Sequence, residues 1–443
     1  MSGNSREEQR PKRLLVQDAA RLQDVELKHE RVRQLLKASG SDALLLQNPE
    51  NIAWFTAGVD RLRCVSENCT TSLFVTSEAR LFATNSTDSA QIFEREAFGL
   101  GFQLKQREWF QPHDDLVSDL CRGRKVISDR GINGVQPAAD AVRTIRLPLT
   151  ELEVTRMRLL SRIAVHAVEA TGHHLRRGVT ESEVAGEVSH RLLKRTVAAV
   201  RIQVCADGRN ERYRHWTFGE QAIEDFAVIS CVARRWGLHV GVTRTVCLEK
   251  VPPELWRFFQ RAMMLQATGI FFSRHGQILG KVWKKVHRIY EKFGMANEWQ
   301  LADQADVIAY SECERQLTPH SEYQLPAPVP VFWHPSVGPA LVGDTVLLHE
   351  SSNEQLTMSS SWPHVPVQVK GQEILCPGIL RVRSAGPPTE TSQMEEAAAS
   401  LFDCPQHPPE DGPLQVESVW EMEFPPLKSI QAQSGGIFPG GPP

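Results

Sequence analysis

The stretch VISCVARRWGLHVGVTRTV, residues 228–246, restricts the folds open to this chain more than any other feature. It reads as a buried strand, a turn, and a second strand ending in Thr243-Arg244-Thr245. Runs this apolar belong inside a domain, covered on both faces, and not on a solvated edge. Any fold proposed for the chain has to carry this hairpin in its interior.

The chain is long enough to surround such a hairpin. Its 443 residues exceed one average core, so two folded units with tails are expected. A net charge of −3 gives no electrostatic reason to expect nucleic acid or an anionic membrane surface as partner. Apolar runs such as DALLL are far shorter than a membrane span, and the charged start MSGNSREEQRPKR is followed by no apolar signal-type segment. The nine cysteines include no CxxC pair and no metal-finger spacing, which fits a reduced, cytoplasmic set of thiols.

Residues 1–24 are polar and read as a flexible segment. From Val25, Leu27, Val32, Leu35 and Leu36 recur at helical spacing until Gly40 supplies a stop. DALLLQ (42–47) reads as a buried strand, NPENIAWFTAG as a turn into a further buried segment, residues 70–85 as a hairpin, and KVISDR as another strand. Together, residues 25–147 predict a small α/β unit. A second unit, 148–385, opens on two helices with capping-box signatures, Thr150 with Glu153 and Thr180 with Glu183. Two more helices follow, one started by Pro252-Pro253 and one stopped by Gly294, with strand-like segments around them. That is an α+β arrangement. Residues 386–443 turn to Pro, Gly, Ser and Glu and read as a disordered tail.

In this order, RVRQLLKASGSDALLLQNPENIAWFTAG, GVTESEV (178–184), RHWT (214–217), GLHVGVTRT (237–245) and GDTVLLHESSNEQLT (343–357) resemble the aminopeptidase P, prolidase and creatinase family. The resemblance implies a creatinase-type N-terminal domain followed by a pita-bread catalytic domain, and a homodimer. It also implies a dinuclear metal centre of two Asp, one His and two Glu, because hard divalent ions are bridged by carboxylate oxygens that share an activated hydroxide. Carried onto this chain, those five positions fall on Ser230, Gly241, Asp303, His334 and Glu354. Only Glu354 has the family's residue type, so no dinuclear Mn, Zn or Co centre and no other cofactor is expected.

His215 falls on the family's substrate-facing histidine, beside Trp216. The metal-free creatinase uses that histidine as a proton shuttle, and imidazole suits the role near neutral pH. The expected site therefore has His215 and Glu354 as catalytic residues, with Trp216, Arg235 and Arg244 holding substrate. Arginines beside a hairpin without carboxylates favour a neutral or anionic ligand. Three functions stay open: a metal-independent hydrolase of a small C–N substrate, a non-catalytic binder of a small molecule, short peptide or protein, and a manganese Xaa-Pro aminopeptidase reached by a different assignment of ligands.

Overall fold

A computed structural model of the protein describes residues 18–60, 64–65, 68–131 and 135–382. The expected tail, 386–443, and most of the expected N-terminal flexible segment lie outside these residues. Helix α1 (Ala19–Ser39) starts earlier than the apolar pattern indicates, at an Asp18 cap whose carboxylate accepts from the Arg21 amide. Gly40 ends it in the left-handed conformation, at φ 59°.

The first sheet contains β1 (Ala43–Leu46), β2 (Ser72–Thr76), β3 (Arg80–Asn85), β4 (Gln103–Arg107), β5 (Val126–Ser128) and β6 (Gln136–Pro137), in the order β4-β3-β2-β1-β5-β6. β1 is buried throughout and pairs antiparallel with β2 and parallel with β5. The segment after β1 is a helix, α2 (Pro49–Phe55), with proline in its first turn where no amide partner is needed. Helices α3 (His113–Cys121) and α4 (Ala139–Arg146) complete this part.

Helices α5 (Glu151–His173) and α6 (Glu181–Leu193) both open on the anticipated capping boxes, with each threonine and glutamate bonded reciprocally to the other's backbone. α7 (Pro253–Phe272) and α8 (Leu279–Lys292) are the other two long helices. They pack around a nine-stranded sheet. Its strands are β7 (Ala198–Ala206), β8 (Phe226–Arg235), β9 (Leu238–Leu248), β10 (Ala305–Val307), β11 (Arg315–Gln316), β12 (Val329–Trp333), β13 (Gly343–Leu348), β14 (Asn353–Gln355) and β15 (Ile379–Val382). The main path runs β11-β10-β12-β13-β9-β8-β7, while β14 pairs with β13 and β15 with β9. The opening hairpin is thus β8–β9, every residue of β9 is buried, and it lies in the middle of the sheet. Among the described residues no helix is long and apolar enough to cross a membrane.

One apolar core runs through both sheets, and buried ion pairs connect their elements. Lys28 of α1, fully buried, lies 2.6 Å from both Asp24 and Glu153, and Tyr310 donates to Glu153 at 2.6 Å. Arg146 binds Glu314 and donates to Asn51 Oδ1 at 2.5 Å.

A pH dependence follows from His239 of β9, which is buried with Nδ1 3.0 Å from the Ala309 carbonyl. Burial pushes its pKa from 6.5 down to about 4. Between these values the unfolded chain binds the proton and the folded one does not. Stability is therefore complete above the unfolded value and falls as pH drops toward 4, by on the order of 3 kcal/mol. In His239→Asn, which keeps a donor to Ala309, the urea midpoint should fall less between pH 7 and pH 4.5 than in the parent. Equal falls would remove His239 from the account.

Candidate functional site

The turn Trp236-Gly237 sets the register of the β8–β9 hairpin, pairing Ser230 with Thr243 and Val232 with Gly241. Side chains alternate between the faces of a strand, so Gly241 and Thr243 share one face of β9 while Val242 and Arg244 take the other. On the first face Thr243 Oγ1 donates to Ser230 Oγ at 2.8 Å. β13 then brings Gly343 opposite Thr243.

These positions frame a space filled by Phe332 of β12. A Cβ on Gly241 would lie 2.6 Å from the Phe332 ring, and one on Gly343 would lie 3.1 Å from the same ring and 2.9 Å from Thr243 Cβ. Phe332, 1% exposed, forms a separate apolar cluster with Val232 and Ile308. Glycines inside strands mark close approach by another group, and here that group is an aromatic ring. Ser230, Gly241 and Gly343 offer no carboxylate to the space, and the ring occupies it.

Beside Phe332 a cavity of about 20 Å³ remains, lined among others by Gln203, His215, Ser230, Asp303 and His334. That is room for one water molecule or small ion. The structure thus brings together four of the residues singled out from the sequence: His215, Ser230, Asp303 and His334. The side chain of His215 is 60% exposed at the mouth, with Nε2 3.3 Å from Asp303 Oδ1. His334 Nε2 lies 3.1 Å from Asp306 Oδ2, and its ring is 4.6 Å from that of Phe332. Asp306 was not among the sequence candidates, although the D-x-x-D spacing with Asp303 was available as a signal. The Phe332 plug had a signal too, in the two in-strand glycines.

The other candidates lie elsewhere. Glu354, expected to be catalytic, is on β14 and holds Arg158 through two hydrogen bonds of 2.8 Å, with His349 Nε2 at 3.0 Å. The Arg158 hydrogen bond keeps its carboxyl below the usual range against the opposing effect of burial. It does not line the cavity. Arg244, expected to bind substrate, points to the opposite face of β9 and is fully buried. It donates to Glu169 at 2.8 Å, to Asp344 at 3.0 Å, and to the carbonyls of Thr243 and Thr357. With every nitrogen bonded within the protein, it serves the core. Trp216 donates its indole N–H to Glu181 at 2.9 Å and lies under Arg209. Arg235 stacks on Trp236 at the hairpin turn, with 4.2 Å between guanidinium carbon and ring centroid. Neither lines the cavity. Local motifs placed these side chains near the hairpin, but strand alternation and the packing of α6 turn them away.

Comparison with known proteins gives a consistent frame. The profile of metallopeptidase family M24 matches residues 155–321. No curated protein sequence matches the chain. Among solved structures, a Xaa-Pro dipeptidase from Bacillus anthracis superposes with a TM-score of 0.63 at 18% identity, covering 76% of this chain and 98% of its own. Dipeptidase PepE from Mycobacterium ulcerans gives a TM-score of 0.66 at 14% identity, covering 83% of this chain and 100% of its own. The N-terminal domain of FACT complex subunit SPT16 from Cicer arietinum gives 0.60 at 10% identity, covering 77% of this chain and 97% of its own. These identities establish a shared fold. The α+β architecture, with its buried central hairpin, is the pita-bread fold, and residues 155–321 are similar to metallopeptidase family M24.

Proposed function

We propose that this M24-like chain has lost the dinuclear hydrolytic centre and works as a binding protein, holding a short peptide, small molecule or protein partner on the inherited fold. The packing of Phe332 against Gly241 and Gly343 carries this reading. Two bridged metal ions need several carboxylates around an open space, and the residues in this space are a serine, a threonine, two glycines and a phenylalanine ring. They do not fit a dinuclear centre. The remaining cavity of about 20 Å³ is also much smaller than the roughly 300 Å³ at which ligand pockets begin, so the ligand or partner is held elsewhere on the fold. One structural neighbour is a subunit of a complex, so the fold is also found in assemblies. The chain is further proposed to be a cytoplasmic homodimer, a setting compatible with its six free cysteines among the described residues.

A second reading rests on one contact. His215 beside Asp303 is an imidazole–carboxylate pair at the cavity mouth, the arrangement that a metal-independent hydrolase of a small C–N substrate would use for proton transfer. One assay separates the readings. Purified protein is incubated with Xaa-Pro dipeptides and Mn²⁺, and separately with guanidino and ureido compounds without metal. No turnover in either arm is expected. Manganese-dependent cleavage of Xaa-Pro would overturn the proposal. Turnover of a guanidino or ureido compound that disappears in His215→Ala would replace it with the hydrolase.

A further inference from the structure

We infer that the solvent face of α8 is a docking surface for an acidic segment of a partner protein. The inference rests on the reading of the chain as a binding protein and gives that partner its chemistry. Leu279, Val282, Val286 and Tyr290 recur at helical spacing and are buried in the core. At 3.6 residues per turn, Lys281, Lys284, Lys285, Arg288 and Lys292 fall together on the opposite side. Four of them are exposed and Lys285 is half-buried. They form a stripe roughly 16 Å long at about 1.5 Å per residue. Lys370, exposed at the turn between His364–Val369 and Gln372–Pro377, widens it. Its Nζ and that of Lys285 each lie 5.5 Å from the centre of the Phe272 ring.

A charged helix face is often only a solvated one, and acids then accompany the bases. Arg33 of α1, Arg143 of α4, Arg191 of α6 and Arg257 of α7 each pair with an acid three or four residues earlier. On α8 the only ion pair among the described residues is that of His287 with Glu291, at 3.5 Å and outside the stripe. The five cations instead meet one another at i,i+3 and i,i+4 spacing, and each such like-charge pair weakens a helix. Lys281 also lies in a first turn that holds no acid, at the end where the helix dipole disfavours a cation. The row thus lowers the helix's own stability, and an anionic partner turns each repulsion into an attraction.

The surroundings favour carboxylates over bases or lipid. The rings beside the stripe pack on one another, with Trp283 stacked on His287 at 4.6 Å and edge-on to Trp299 at 5.1 Å. They do not stand open as the platforms on which single strands stack. A duplex would spread its phosphates far beyond the stripe, over a chain of net charge −3. The apolar side of α8 is packed in the core, so nothing of it is left to insert into a bilayer. A short acidic segment needs the stripe alone, and its carboxylates are matched by flexible lysines without fixed spacing.

The test is fluorescence anisotropy of a labelled poly-glutamate peptide, long enough to span the stripe, titrated with the full chain at low salt. Binding is expected, at least about ten-fold weaker in the double variant Lys284→Glu/Arg288→Glu. Lys37→Glu/Lys105→Glu makes the same change of net charge at exposed positions of α1 and β4, and should bind within about two-fold of the parent. The stripe variant should melt no lower than the parent, because most of its altered neighbours become opposite charges. Absence of peptide binding, or equal binding in the stripe variant, would overturn the inference. So would tighter binding of duplex DNA or of phosphatidylserine vesicles. None of these results touches the proposed function, which is overturned only by turnover in its own assay.

Discussion

Arg244→Met is expected to destabilise the protein by about 3–5 kcal/mol, seen as a large fall in the urea midpoint, while leaving the cavity and its residues in place. The guanidinium is fully buried between Glu169 and Asp344. Thr357 and Gln266 also bond to Asp344, and Ser359 and Ser361 to Glu169, so every oxygen of the two carboxylates is bonded. Such a network adds little net stability over an apolar replacement of all its members. Removing one partner, however, leaves two carboxylates buried without their cation, and that asymmetry sets the size of the loss. A ligand-binding arginine would behave in the opposite way, giving up affinity and little stability. An unchanged urea midpoint in Arg244→Met would return Arg244 to the list of ligand contacts.

Placing a carboxylate in the hairpin is expected to cost nearly as much. In Gly241→Asp the new Cβ would meet the Phe332 ring at 2.6 Å, and overpacking of this kind costs about 1–3 kcal/mol. A buried carboxylate without a partner adds about as much again. The same substitution made together with Phe332→Ala should cost clearly less than the sum of the two single changes, because removing the ring opens the space that the aspartate needs. Additive losses in this double-mutant cycle would mean that Phe332 does not fill the space facing Gly241, and the argument against a dinuclear centre would lose its main support.

These two experiments bear on residues whose roles local sequence could not settle. Arg244 sits one position from Thr243, and in sequence both belong to the same Thr-Arg-Thr signature. Only the strand pairing shows that Thr243 turns toward Ser230 while Arg244 turns to the opposite face. Glu354 occupies a suggestive place in its motif, yet β14 pairs with β13 so that its carboxylate meets Arg158 of α5. Trp216 follows His215 directly, but the two side chains diverge, one toward Asp303 and the other toward Glu181. For Thr243 and Arg244, a shift of one residue along the extended strand exchanges one face for the other.

The sequence by itself determined the elements and their order. The helix caps at Thr150 and Thr180, the stop at Gly40, the buried β1 strand and the apolar hairpin are all set by interactions within a few residues, and those are legible locally. That Ser230 and Gly241 stand where the family has carboxylates is what the resemblance implies. The tertiary structure alone decided what fills the space beside them. Phe332 enters the hairpin's space from a strand about ninety positions along the chain, and Asp306 reaches His334 across the β10–β12 pairing. Contacts of that kind depend on which strands become neighbours and which face each residue presents, and short-range spacing carries no record of either.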